Sequence, residues 1–221
     1  ICLLPMLNIL AISFSGNAAV AANKVGFLPV DFTMAAYEKI LSDQQFWRSF
    51  GISVIRVVLG LVINLVLIVL MAYPLSKSKR EFKGRNIYMN LLIFAMLFSG
   101  GMIPTYLVVK NLGLLNTVWA LILPGAVPIF SVIMVMNFFI GVPKSLEEAA
   151  VIDGATPMQV LTRVYLPCSK PVIATIALFS IVGNWNDFFS GLIYMTKVNN
   201  YPLQTYIQSL SVKLEDMLKA G

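Results

Sequence analysis

The chain has 221 residues, of which 58% are hydrophobic and only 12% charged, with a net charge of +6 and a mean hydropathy of +0.83. So few charges cannot cover a soluble globule of this size, so a polytopic all-α membrane bundle is expected. The positive charge does not mark a nucleic-acid partner: Lys77, Lys79, Arg80, Lys83 and Arg85 crowd into one loop between apolar runs, which is a topology signal with anionic lipid as its natural contact.

Ile1 to Phe14 is apolar and starts without methionine. As a helix, about 14 residues rise only about 21 Å, short of a hydrocarbon core of about 30 Å. Residues 1–14 are therefore expected to be a partial first span, in preference to a signal peptide cleaved near Asn17 to Ala22, because no basic leading region precedes them. Residues 15–46 turn polar, with Gly26 and Pro29 as breakers and Asp31 or Thr33 placed to cap a short helix toward Leu41. This stretch reads as an external loop.

Phe46-Trp47-Arg48 has the character of an interfacial belt, and Phe50 to Leu75 is the next predicted span. Arg56 lies within it, either snorkelling to the outer headgroups, the favoured reading, or facing a bundle cavity. Ile87 to Val109 is a span interrupted by Ser99-Gly100-Gly101 and Pro104, and Thr117 to Ile140 is one interrupted by Pro124, Gly125 and Pro128. Both are built to bend, as kinked packing or along a solvated path.

Ser145 to Pro167 is a charged insert with the grammar of two short helices. Ser145 with Glu148, and Thr156 with Gln159, fit capping boxes, and Pro157 falls at a first helical position. Gly154 can end the first helix in the left-handed conformation, and Pro167 is expected to stop the second. Ala149 and Ala150 leave the first helix thinly covered, while Leu161, Val164 and Tyr165 give the second an apolar face. Pro171 to about Met195 is a further predicted span carrying Asn184, Trp185, Asn186 and Asp187 in its outer half. Lys197 to Gly221 is amphipathic, without another apolar run.

Glu148-Ala149-Ala150, Asp153-Gly154-Ala155 and Leu166-Pro167 together resemble the cytoplasmic loop signature of permease subunits of binding-protein-dependent ABC importers. Asn184-Trp185-Asn186-Asp187 resembles the maltose-type carbohydrate branch. The isoleucine usual before Leu-Pro is replaced, with Val164 near its place. The resemblance runs from about Phe46 to Gln208 and implies a type I importer bundle of about five spans here. Because that family carries another span after Lys197, the chain is expected to be truncated at both ends. Residues 47–221 would be the transmembrane domain, and 141–170 its cytoplasmic coupling loop.

By the same resemblance the chain would be a cell-membrane permease subunit that moves a sugar or oligosaccharide. Its partners would be a cytoplasmic ATPase dimer, a second related permease, an external solute-binding protein and membrane lipid. Coupling to the ATPase would fall to Glu147, Glu148, Ala149, Ala150, Asp153 and Gly154, with Leu166 and Pro167 fixing the return to the membrane. Asn184, Trp185, Asn186 and Asp187 would line a path or gate, or Asp187 would serve structurally by pairing with a basic partner.

The sequence has no phosphate-cradling glycine-lysine loop and no histidine, so no catalytic residues and no metal site are expected. ATP and magnesium would belong to the partner ATPase, with no cofactor in this chain. Cys2 and Cys168 are too far apart in the predicted topology to form a disulfide. The alternative reading is an ion-coupled secondary transporter using Asp187 and Arg56. The excess of basic residues around the 77–85 loop and the elbow places both on the cytoplasmic side.

Overall fold

The computed structural model describes residues 3–220, with side chains through Val212. The chain forms two compact units, one ending at Arg48 and the other starting at Ser49.

In the first unit, α1 (Leu4–Ser13) leads into a loop carrying α2 (Asn17–Ala21) and α3 (Ala35–Ser42). Side chains tie the loop to α1: Asn8 Nδ2 donates to the Gly26 carbonyl at 2.7 Å, and Ser15 Oγ accepts the Val30 N–H at 3.0 Å. Phe14 stacks on Phe32 and Tyr37. At the start of α3, Thr33 Oγ1 accepts the Ala35 N–H at 3.2 Å, while Asp31 sits at φ +53° in the turn before it.

The second unit is built around α4 (Gln44–Ser76), whose 33 residues rise about 50 Å, more than a hydrocarbon core. It is the one described helix long and apolar enough to cross a membrane unaided. The next two spans are broken where glycine and proline forecast it. α5 (Arg85–Leu97) and α6 (Met102–Asn111) meet at 113°, with Gly101 at φ +85° between them. α7 (Val118–Ile122) passes through a 3-10 turn, Leu123–Gly125, and meets α8 (Ile129–Ile140) at 52°.

The elbow follows as α9 (Lys144–Ile152), α10 (Pro157–Val160), a π turn over Leu161–Tyr165, and α11 (Leu166–Cys168). The chain then bends by 85° into α12 (Lys170–Asn186). After it come α13 (Phe189–Tyr194) and α14 (Leu203–Ala220). Counting each bent pair as one span gives up to four crossings, beside the short apolar α1.

The core of this unit gathers Ile68, Ala72 and Leu75 of α4, Val132, Val135 and Phe139 of α8, Val160, Leu161 and Tyr165 of the elbow, and Val172 and Ile176 of α12. Apolar residues on the outer faces, such as Val58 and Val62 of α4 and Leu91 and Phe94 of α5, stay more than half exposed. That is the surface a lipid-facing helix presents.

Three local expectations are corrected. α9 starts at Lys144, one residue ahead of the predicted Ser145 cap. Pro143 holds φ −57° and ψ 125°, and its carbonyl accepts the Leu146 N–H at 3.1 Å, so Ser145 lies inside the first turn and makes no cap bond. Pro167 does not stop the second helix. The widened π turn, closed by the Leu166 N–H on the Leu161 carbonyl, carries the chain past the proline to Ser169, where φ −110° and ψ 18° end it. The span predicted to reach Met195 ends at Asn186, because Asp187 turns extended at φ −76° and ψ 103°.

Candidate functional site

Two features stand out, an exposed elbow and a polar cavity. In the elbow, α9 ends in a Schellman motif: the Gly154 N–H bonds the Val151 carbonyl at 3.0 Å and the Ala155 N–H bonds the Ala150 carbonyl at 2.9 Å, with Gly154 at φ +80°. The second capping box is formed in full. Thr156 N–H donates to Gln159 Oε1 at 2.8 Å, and Gln159 N–H to Thr156 Oγ1 at 3.4 Å, with Pro157 at the first helical position.

The first helix leaves Glu148, Ala149, Asp153 and Gly154 exposed and Ala150 half-buried, whereas Leu161 and Tyr165 of the second are buried in the core. Leu146, Val151 and Ile152 add exposed apolar side chains to the same helix, Ile152 at 84%. Pro167 is exposed and Leu166 half-buried at the return to the membrane.

Glu147 differs from its neighbour. Its carboxylate forms an ion pair with Lys77, from the end of α4, and accepts the Tyr165 hydroxyl at 2.5 Å. In the 77–85 loop, hydrogen bonding by the Ser78 hydroxyl and then by its backbone N–H holds the Glu81 carboxyl below the usual carboxylate range. Arg85 Nε caps the Leu75 carbonyl near the end of α4 at 2.8 Å.

The cavity, about 280 Å³, opens between α4, the α7–α8 break and the end of α12. Its polar lining includes Arg56, Asn64, Ser131, Ser180, Asn184, Asp187 and Ser190. α4 contributes Arg56, Asn64 and Ile68 to the lining; they belong to a buried stripe at helical spacing in which Ser49, Ser53, Arg56, Gly60 and Asn64 are small or polar and which continues as Ile68, Ala72 and Leu75. One helix face is thus polar in the half that borders the cavity and apolar in the half toward the elbow.

Asn64 satisfies its amide with Nδ2 donating to the Gly60 and Ala126 carbonyls at 3.0 and 3.2 Å and Oδ1 accepting Ser180 Oγ at 3.2 Å. Asn184 Nδ2 donates to the Ser180 carbonyl at 2.9 Å and lies against Gly60, where an added Cβ would come within 2.9 Å of it. Glycine is what permits that approach.

Arg56 is only 2% exposed and does not snorkel, which overturns the favoured sequence reading. It forms an ion pair with Asp187, donates from Nη1 to the Asp187 carbonyl at 2.9 Å and from Nη2 to the Leu121 carbonyl at 3.4 Å. Burial at this depth requires such a partner, because an unpaired guanidinium would face the full desolvation cost. Asp187 also accepts the Ser190 N–H at 3.1 Å, which anchors the start of α13.

Of the four residues expected at a path or gate, Asn184 and Asp187 line the cavity. Trp185 lies off it, edge-on to Phe50 at 6.0 Å, and Asn186 is exposed. Of the α4 residues that line the cavity, Arg56 is marked by its charge within an apolar run, whereas Asn64 is not. The recurrence of Ser49, Ser53, Arg56, Gly60 and Asn64 every three or four residues is the sequence signal of that buried polar stripe, from which Asn64 joins Arg56 at the cavity. Cys168 is exposed, and Cys2 lies outside the described residues.

Broken membrane helices around a polar cavity, joined to a capped and exposed elbow, have the character of a membrane transport component. The family model for the binding-protein-dependent transport system inner membrane component matches residues 64–211. Protein LplC of Bacillus subtilis is 50% identical over 212 residues, covering 96% of this chain and 71% of that protein. The polygalacturonan/rhamnogalacturonan transport system permease protein YtcP of the same organism is 42% identical, covering 96% and 73%. Among solved structures, a chain of a bacterial ABC transporter involved in the import of the acidic polysaccharide alginate superposes with a TM-score of 0.92 and 36% identity, over 99% of this chain and 79% of that one. The present chain belongs to the family of binding-protein-dependent transport system inner membrane components.

Proposed function

We propose that this chain is one transmembrane subunit of an ATP-driven importer that carries a sugar or oligosaccharide received from an external binding protein. The observation that carries the reading is the match along nearly the whole chain to a subunit of an alginate importer. The polygalacturonan permease points the same way. Acidic oligosaccharides are therefore the first substrates to try. The ion-coupled alternative has no support in these similarities, and Arg56 and Asp187 spend their charges on each other.

In this reading a cytoplasmic ATPase dimer, which holds ATP and magnesium, docks on the exposed face of α9, where Glu148, Ala149, Asp153 and Gly154 lie. A second related permease completes the path. Closure of the ATPases moves the elbow, and because Leu161 and Tyr165 are packed in the core the movement passes to α4, α8 and α12. The cavity beside Asn184 and Asp187 belongs to the path or to its gate. The basic loop and the elbow face the cytoplasm by their excess of lysine and arginine.

The test is purification. The chain is tagged and co-expressed with a candidate importer ATPase and a candidate second permease from the same genome. The expected result is a stable complex that retains the ATPase, and a tagged chain that never retains it would refute the reading.

A further inference from the structure

Two adjacent glutamates open the charged part of α9, and the structure treats them differently. Glu148 is exposed. The Glu147 side chain is 21% exposed and turned inward, where it meets Lys77 at 13%. Lys77 lies just beyond the end of α4, 70 residues earlier in the chain.

The pair is held by several further contacts. Lys77 Nζ donates to the Tyr165 hydroxyl oxygen at 3.0 Å and sits over two rings, 4.4 Å from the centre of Tyr73 and 4.3 Å from that of Tyr165. Tyr165 in turn donates to the second oxygen of Glu147. Its ring is held edge-on between Tyr73 at 5.2 Å and Phe139 at 5.4 Å. Tyr165 is the last residue of the π turn, and its ring lies in the core. A lysine that satisfies a carboxylate, a phenol and two aromatic faces is fixed as few surface lysines are.

We propose that Lys77, Glu147 and Tyr165 form a strut that ties the coupling helix α9 to the end of the long span α4, and that Glu147 acts within the chain while its neighbour Glu148 remains available to the ATPase. The proposal deepens the importer reading and rests on it. Without the strut, α9 keeps its packing on α10 and the π turn, with Ala150 against the core, so displacement of α9 would reach α4 only by way of the elbow. With it, the same displacement pulls directly on α4, whose opposite half borders the polar cavity. Lys77 and Tyr165 are thereby positioning residues for coupling.

The experiment uses the complete transporter in vesicles and reads sugar moved per ATP hydrolysed, with ATPase retention measured alongside. Lys77→Met and Glu147→Lys should each keep the ATPase while the ratio falls about tenfold, the size of an ordinary coupling term between sites. The double reversal Lys77→Glu with Glu147→Lys should regain most of the lost ratio. Tyr165→Phe keeps the core ring and loses only the hydroxyl, so it guards against misfolding; a fall of about threefold is expected. An unchanged ratio in all variants would overturn the strut, as would a Glu147→Lys variant that sheds the ATPase and is not repaired by the reversal. Wild-type vesicles without ATP-dependent uptake would contradict the importer reading itself. The strut is then decided by hydrogen exchange of residues 144–152, which must quicken in Lys77→Met and would stay unchanged if α9 were not held there.

Discussion

Arg56 and Asp187 lie 131 residues apart and close a partly buried ion pair between α4 and the residue that follows α12. Through Nη2 the same guanidinium also reaches the Leu121 carbonyl beside the α7–α8 break. One side chain thus braces two places where the membrane helices are interrupted, and where backbone carbonyls would otherwise lack partners.

Asp187→Asn keeps the shape of the side chain and removes the charge, leaving Arg56 uncompensated. Because the Asp187 side chain is 30% exposed, the expected cost falls toward the lower end of the about 3–5 kcal/mol for breaking a buried pair. It should appear as a lower thermal midpoint and poorer assembly, with sugar preference unchanged. Adding Arg56→Met should recover much of the stability. Normal assembly with altered preference would instead assign Asp187 to substrate contact.

Gly60→Val places side-chain atoms where Asn184 now lies, an overpacking worth about 1–3 kcal/mol. The amide must then leave the Ser180 carbonyl and move toward the cavity. If that cavity belongs to the path, uptake falls while assembly is retained. Uptake at the wild-type rate in an assembled complex would remove the cavity from the path.

Gly154→Val puts a β-branched residue at φ +80°, where only glycine is at ease, and distorts the turn that ends α9. The surroundings are open, with no atom within 4 Å of an added Cβ, so the penalty is conformational and confined to the elbow. The variant should reach the membrane in normal amounts and lose ATPase recruitment or coupling. Full recruitment and transport would show that the Schellman turn has no part in docking.

The proposed topology puts the loop at Lys77 to Arg85 and the elbow on one side and Asn23 on the other. A cysteine at Lys83 should resist impermeant thiol reagents in intact cells, and one at Asn23 should react. The opposite labelling would reverse the orientation.

What was legible in the sequence was local chemistry. Thr156 and Gln159 can cap each other without help from the rest of the fold, and Gly154 accepts positive φ by itself. The breaks at Ser99 to Pro104 and Pro124 to Pro128 follow from missing donors and soft backbone. What was not legible depended on partners remote in sequence. Arg56 was expected at the headgroups because its carboxylate lies 131 residues away. Glu147 reads as a twin of Glu148 until Lys77 is seen beneath it. Pro167 reads as a stop because a π turn, which gives the ring room, has no simple sequence signature. Ser145 with Glu148 fits a capping box, but Pro143, whose φ and ψ suit the residue ahead of a helix, sets the real start of α9.

In the proposed importer, movement of sugar through this chain is driven by ATP hydrolysis on a partner and not by an ion gradient. The direct measurement is uptake of a labelled acidic oligosaccharide into vesicles holding the complete complex and its binding protein. It compares ATP in the compartment facing the elbow with an imposed proton or sodium gradient. Accumulation with ATP alone is expected, abolished when the binding protein or the ATPase is omitted. Accumulation driven by the gradient without ATP would contradict the importer reading.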